Sequence, residues 1–186
     1  KKVLNKESIL ILYSIFTLIV FQGALGWYMV TSGLVNDVTV SHYRLSLHLL
    51  FAFLILSTLF WCYLNQALRT KKTFFNLNIK LLKLFFFIIL LQIIIGAFVS
   101  GLDAGLVYQT WPKMNSTFFP DDINLEKFNF FVYLNDQSFV QFLHRNLAYL
   151  ILALSIFIGF DLYLNKKKEG IKIFLIVVLV LVAQIC

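Results

Sequence analysis

Residues 45–64 read LSLHLLFAFLILSTLFWCYL, an apolar run with one histidine and no formal charge. A helix that crosses the hydrocarbon core of a bilayer needs about 20 such residues. Apolar runs of the same kind occupy Ile9–Val30, Leu81–Val99 and Phe139–Leu164, and a fifth begins at Ile171 and reaches Cys186. Only helices and closed barrels satisfy every backbone group in lipid, and runs of this length read as helices. The chain is therefore expected to be all-α: a polytopic transmembrane helix bundle with four complete spanning helices plus a truncated fifth. The composition agrees, with 60% hydrophobic and 13% charged residues in 186. A soluble domain is closer to half apolar and about a quarter charged.

The net charge of +7 is distributed by side. If every run spans, 12 of the 16 basic residues fall on one face. They are Lys1, Lys2 and Lys6, then Arg69, Lys71, Lys72, Lys80 and Lys83, then Lys166, Lys167, Lys168 and Lys172. The other face holds Arg44, Lys113, Lys127 and Arg145 with most of the acids: Asp37, Asp103, Asp121, Asp122, Glu126 and Asp136. The positive-inside rule places the lysine-rich loops 65–80 and 165–172 in the cytoplasm or matrix. A multi-pass protein of a bacterial or mitochondrial inner membrane fits this pattern. It accounts for the basic charge with the lipid bilayer as partner and no nucleic acid.

The outer connection Leu102–Gln137 is long for a loop, and such segments tend to be functional or disordered. It is rich in Trp, Tyr, Phe and Pro, which disordered segments lack. It is expected to fold over the outer helix ends or to lie along the interface. The chain starts at Lys1 and ends inside an apolar run, so it is expected to be a fragment with sequence missing at both ends. Cys62 and Cys186 read as small hydrophobes rather than as a disulfide or metal pair.

Two histidines sit where histidine is costly. His48 and His144 each lie about two turns into a spanning helix, near its outer end. An ionisable group at that depth is a functional-site hypothesis. Neutral imidazole is a common metal ligand and the usual axial ligand of haem. The plainer explanation is a histidine hydrogen-bonded between helices. Arg44 lies one turn outside His48 on the same helix face. Gln141 lies one turn before His144, and Arg145 follows it about 100° around the helix. His42, beside Tyr43 at the water boundary, reads as a surface histidine.

An internal echo links the two regions. Gln22-x-x-x-Gly26 precedes Ser32-Gly33-Leu34, and Gln92-x-x-x-Gly96 precedes Ser100-Gly101-Leu102. Each is followed by a helix with a histidine near its outer end. Gly23, Gly26, Gly96, Gly101 and Gly105 permit close helix packing or make room for a flat ligand. Trp27, Tyr28, Tyr108 and Trp111 look like an outer aromatic belt, the reading preferred for Trp27 and Tyr28. The chain lacks Cys-x-x-Cys-His, zinc-ligand spacing, a phosphate loop and a Ser-His-Asp set.

Four stretches taken together resemble the haem A synthase family. They are QGALGWYMVTSGL (22–34), VSHYRLSLHL (40–49), GAFVSGLDAGLVYQTWPKM (96–114) and FVQFLHRNLAY (139–149). The resemblance runs through nearly the whole chain. It is nearest the proteobacterial and mitochondrial subgroup, which lacks cysteine pairs in its outer loops. It implies an eight-helix bundle of two four-helix halves, each with a bis-histidine haem site. Residues 1–65 would end the first half and 80–186 would start the second, within a single membrane domain.

The resemblance makes His48 an iron ligand of the first-half site, taken as the haem O substrate site. It makes His144 an iron ligand of the second-half site, which holds haem b. Arg44 and Arg145 would then meet haem propionates, since guanidinium suits carboxylates. The implied reaction oxidises a methyl group of haem O to the formyl group of haem A for cytochrome oxidase assembly. It implies an electron donor and a haem O synthase as partners. The family's glutamate is expected upstream of Lys1. No catalytic residue is then expected within these residues, Glu7 does not match it, and the chain alone is expected not to turn over. The family usually has proline where this chain has His42. A b-type electron-transfer cytochrome, or a haem-free transporter or scaffold, would share many of these features.

Overall fold

The hydrophobic runs form the helices expected of them in a computed structural model. Helix α1 spans Lys6–Gly33, α2 His42–Ala67, α3 Ile79–Gly101, α5 Gln137–Leu164 and α6 Lys168–Ile185. Two short pieces lie between α3 and α5: a 3-10 turn at Ala104–Leu106 and the single-turn helix α4, Phe130–Tyr133. The structure describes residues 6–33, 39–67, 78–124, 129–165 and 168–185. Lys1, Lys2, Leu34, Asp37, Arg69, Lys71, Lys72, Glu126, Lys127, Lys166, Lys167 and Cys186 lie outside those residues.

Among the described residues, four stretches are long and apolar enough to cross a membrane: Ile9–Ser32, His42–Asn65, Ile79–Gly101 and Gln137–Leu164. The chain is a multi-pass membrane protein. The apolar part of α6, Gly170–Gln184, is shorter than a span. Large apolar side chains such as Leu10, Phe16, Phe60 and Phe157 stand exposed along the helices, as lipid-facing positions do. Hydroxyls in the spans turn back onto their own helices. Ser14 donates to the Leu10 carbonyl at 3.0 Å, Thr17 to Tyr13 at 2.9 Å and Thr58 to Leu54 at 2.8 Å. This satisfies them without a neighbour.

The chain divides into two compact units, Lys1–Lys72 and Thr73–Cys186. In the first, α1 packs on α2, with Phe21 and Phe51 in an edge contact at 5.0 Å. In the second, α3 packs on α5 and α5 on α6. Ile95, Phe98 and Val140 form its core at the outer ends of α3 and α5, joined by Leu102, Leu134, Leu143 and Leu147.

Caps set the helix starts of the second unit. Asn78 accepts from the Lys80 and Leu81 amides to open α3. Asp136 accepts from the Phe139 amide at 2.8 Å to open α5. Each cap satisfies donors that a helix start leaves unpaired. Asp103 ends the turn after α3 in the left-handed region, at φ 52°. Aspartate tolerates that conformation better than most residues.

The outer connection folds over the ends of α3 and α5. Ala104, Tyr108, Met114, Pro120 and Ile123 are buried in it or beneath it. Phe119 meets Phe142 of α5 edge-on at 5.1 Å.

Candidate functional site

Each unit builds the same three-residue arrangement across a pair of helices. In the first unit, Gln22 of α1 reaches His48 of α2. Its Nε2 lies 3.2 Å from His48 Nε2 and donates to the His48 carbonyl at 3.0 Å. Gly26, one turn further along α1, faces the ring. A Cβ at Gly26 would sit 3.1 Å from His48 Cε1. In the second unit, Gln92 of α3 places its Nε2 3.3 Å from His144 Nε2 on α5. A Cβ at Gly96 would sit 3.0 Å from His144 Cε1. The glutamine and the glycine are four residues apart and share a helix face. The glycine lets the imidazole lie against the neighbouring backbone.

Both arrangements leave the same atoms unsatisfied. His48 Nδ1, His144 Nδ1, Gln22 Oε1 and Gln92 Oε1 are buried without a hydrogen-bond partner. A buried polar atom left unpaired is costly, so each of these four calls for an explanation. The imidazoles are the metal-competent groups of the two sites.

The carbonyl of His48 fixes the amide of Gln22. Its nitrogen must donate there, so the same nitrogen meets Nε2 as a donor. His48 Nε2 is then the acceptor, and the ring carries its proton on Nδ1. Among the described residues, Gln92 has no second acceptor. Its amide serves His144 with either face, and the tautomer of His144 is open.

The two arginines stand differently. The Arg44 guanidinium lies 5.2 Å above the centre of the Tyr28 ring, a cation–π contact that joins α2 to α1. Arg145 holds the outer connection instead. Its Nη2 donates to the Tyr108 carbonyl at 2.7 Å, and its Nη1 to Thr110 at 2.8 Å and Lys113 at 3.4 Å. Guanidinium has five N–H donors, so donors remain for a carboxylate.

Gln141 adds a second clamp. Its Oε1 accepts from the Tyr108 amide at 3.2 Å, and its Nε2 donates to the Tyr108 carbonyl at 2.8 Å. The Tyr108 side chain is held at its far end. Its hydroxyl faces Asp121 Oδ1 at 2.9 Å and Asp122 Oδ1 at 3.1 Å, and Ser138 donates to Asp122 Oδ2 at 2.5 Å. Burial, then these two acceptors, push the Tyr108 hydroxyl up to about 12.

Two expectations from the sequence are corrected. Tyr108 is not part of an exposed aromatic belt: it is 4% exposed, and its hydroxyl is satisfied by carboxylates. Trp27, Tyr28 and Trp111 are exposed, as a belt requires. His42 is not a surface histidine. It opens α2 at 9% exposure, at the start of a helix packed on α1, with its ring tilted 4.1 Å from the Tyr43 ring.

The glutamines Gln22 and Gln92 were visible only as part of a repeated spacing. Nothing local in the sequence shows that they touch histidine. A separate apolar cavity of about 280 Å³ lies between α3, α5 and α6, lined by Leu82, Ser155 and Phe174 among others. It contains neither histidine.

The family of cytochrome oxidase assembly proteins described as COX15-CtaA matches residues 1–186. A protein of Pelagibacter ubique named heme A synthase is 45% identical over 159 residues, which cover 84% of this chain and 46% of that protein. One of Flavobacterium psychrophilum with the same name is 39% identical over 186 residues, covering 97% of this chain and 55% of the relative. A third, from the Wolbachia of Brugia malayi, is 36% identical over 188 residues, 100% of this chain and 54% of the relative. The chain spans about half the length of these curated relatives. No solved structure matches it. The chain belongs to the COX15-CtaA family of cytochrome oxidase assembly proteins.

Proposed function

We propose that this chain is part of a haem A synthase and carries one iron-ligating histidine of each of two haem sites. The observation behind this is the repeated histidine arrangement, met in a chain whose relatives are named heme A synthase. The reaction oxidises a methyl group of haem O to the formyl group of haem A. The haem groups supply the redox chemistry when bound.

The residues present fit such a group. Each ring is held by one interhelical contact at Nε2, the nitrogen iron would take, and its Nδ1 is left unpaired. Each faces a glycine, where any side chain would crowd it. His48 would hold iron at the haem O site, and His144 at the haem b site. Each would share its iron with a second histidine from the rest of the protein. Arg44 and Arg145 would offer guanidinium to the propionates, a planar, charge-assisted match. Arg145 would do so while keeping the outer connection in place.

The two units would then belong to the two halves of an eight-helix bundle. The lysine-rich loops would face the cytoplasm or matrix of an inner membrane. Haem O synthase and an electron donor would be partners of the full protein.

The test uses the full-length protein. His48→Ala and His144→Ala should each abolish one low-spin haem signal and leave the other. Pigment extracted from cells carrying the unaltered gene should contain haem A. Loss of neither haem in the two variants would overturn the ligand assignment. Two intact haems with no haem A would favour a b-type electron-transfer cytochrome.

A further inference from the structure

The sequence echo is also a physical one: in both units a glutamine amide touches the Nε2 of the histidine. Nε2 is the imidazole nitrogen farthest from the backbone and the easiest for a bulky planar ligand to reach. A nitrogen that accepts a hydrogen bond, as His48 Nε2 does, has committed the lone pair a metal would need, and one that donates has no lone pair to give until its proton moves. We propose that Gln22 and Gln92 are positioning residues that act as displaceable partners of the ligand histidines. Each occupies Nε2 until iron does, and each competes with it. This rests on the haem-ligand assignment above.

Three features carry the proposal. The first is economy. An imidazole inside a bilayer without any partner is costly. Since Nδ1 is unpaired in both units, the glutamine contact is what satisfies the ring. The second is restraint. The amide on one side and the glycine backbone on the other fix how the ring lies, with Cε1 toward Gly26 or Gly96. The third is reserve. Gln22 Oε1 and Gln92 Oε1 are themselves buried and unpaired, so each amide has an acceptor to offer elsewhere once Nε2 is taken.

The two glutamines are not equivalent. Gln22 keeps a bond to the His48 carbonyl whatever happens at Nε2. Its side chain stays anchored on α2 when Nε2 is taken, and its amide cannot invert. Among the described residues, Gln92 is held by the ring alone. Release of His144 frees it completely, and either face of its amide can meet the ring. The second unit therefore has the looser partner.

Methionine matches glutamine in length and cannot hydrogen-bond as a donor. In full-length protein, Gln92→Met should remove the competitor without opening a large void. Haem transfer from the purified holoprotein to an excess of apomyoglobin, followed by absorbance, reads retention at each site. The expected result is slower loss from the His144 site alone, with affinity raised by about fivefold, the weight of one ordinary hydrogen bond. The haem-free form of the same variant should unfold at a lower temperature than the unaltered protein. A merely structural glutamine would speed haem loss and lower stability together.

Gln92→Glu provides the second arm. A carboxylate can only accept, so it would hold Nε2–H and should slow haem uptake at that site. Gln22→Glu should be worse tolerated, because the carboxylate would face the His48 carbonyl. Unchanged or faster haem loss in Gln92→Met overturns the proposal. If His144→Ala removes no haem in the same assay, the ligand assignment fails instead, and the two failures are distinct.

Discussion

His48 and His144 were legible in the sequence because a polar ring in an apolar helix violates the local pattern. Their partners were not. Gln22 lies 26 residues from His48, and Gln92 lies 52 from His144, and no local rule connects them. The facing glycines give a sharp test. Gly96→Ala places a Cβ 3.0 Å from His144 Cε1, and Gly26→Ala places one 3.1 Å from His48 Cε1. The ring must give by a few tenths of an ångström in each, so each should be less stable than Gly23→Ala, seen as a lower unfolding temperature in detergent. Gly23→Ala is the control: nothing lies within 4 Å of its Cβ. It should be neutral or stabilise by up to about 1 kcal/mol, since alanine is the better helix former. Arg145→Ala should leave the Tyr108, Thr110 and Lys113 carbonyls without that donor. The expected outcome is a loss of about 1.5–3 kcal/mol and new protease cleavage in 108–115, read by limited proteolysis.

Among the elements, the outer connection departs most from what its composition conveys. Aromatic content announced order but not the means of it. The segment is held by Gln141 and Arg145 of α5 on the Tyr108 backbone and by Asp121 and Asp122 on its hydroxyl. Burial of a hydroxyl whose pKa rises from 10.0 to about 12 makes the packed segment favour the protonated phenol. That stabilisation is complete below pH 10 and is lost as pH climbs from 10 towards 12. Limited proteolysis across this range should show the connection opening. Tyr108→Phe should abolish the alkaline step while costing about 1–2 kcal/mol at neutral pH. A second element contact is equally specific. Phe174 of α6 rests on Gly159 of α5, where a Cβ would come within 2.0 Å of the ring. Gly159→Ala should displace the Phe174 ring and lower the unfolding temperature, with the histidine sites unaffected.

For the molecule as a whole, the positive-inside rule predicts the orientation. Asn115 lies in the outer connection and Asn165 at the end of α5, and both are exposed. Cysteines at these positions in a variant lacking the native cysteines should label oppositely. An impermeant maleimide should reach position 115 from the outer side, and position 165 only after permeabilisation. The opposite result would reverse the assignment of the lysine-rich loops. Hydropathy alone located the five long helices, because solvation by lipid acts on each segment separately. The runs Ile9–Val30, Leu45–Leu64, Leu81–Val99 and Phe139–Leu164 each fall inside an observed helix.

Helices, membrane residence and the two unusual histidines were thus present in the order of residues, since each depends on a side chain and its immediate neighbours. The pairing of Gln22 with His48 and Gln92 with His144, the burial of Tyr108 and the work of Arg145 were not. They come from contacts between segments far apart in the chain, where packing chooses partners that no spacing rule encodes.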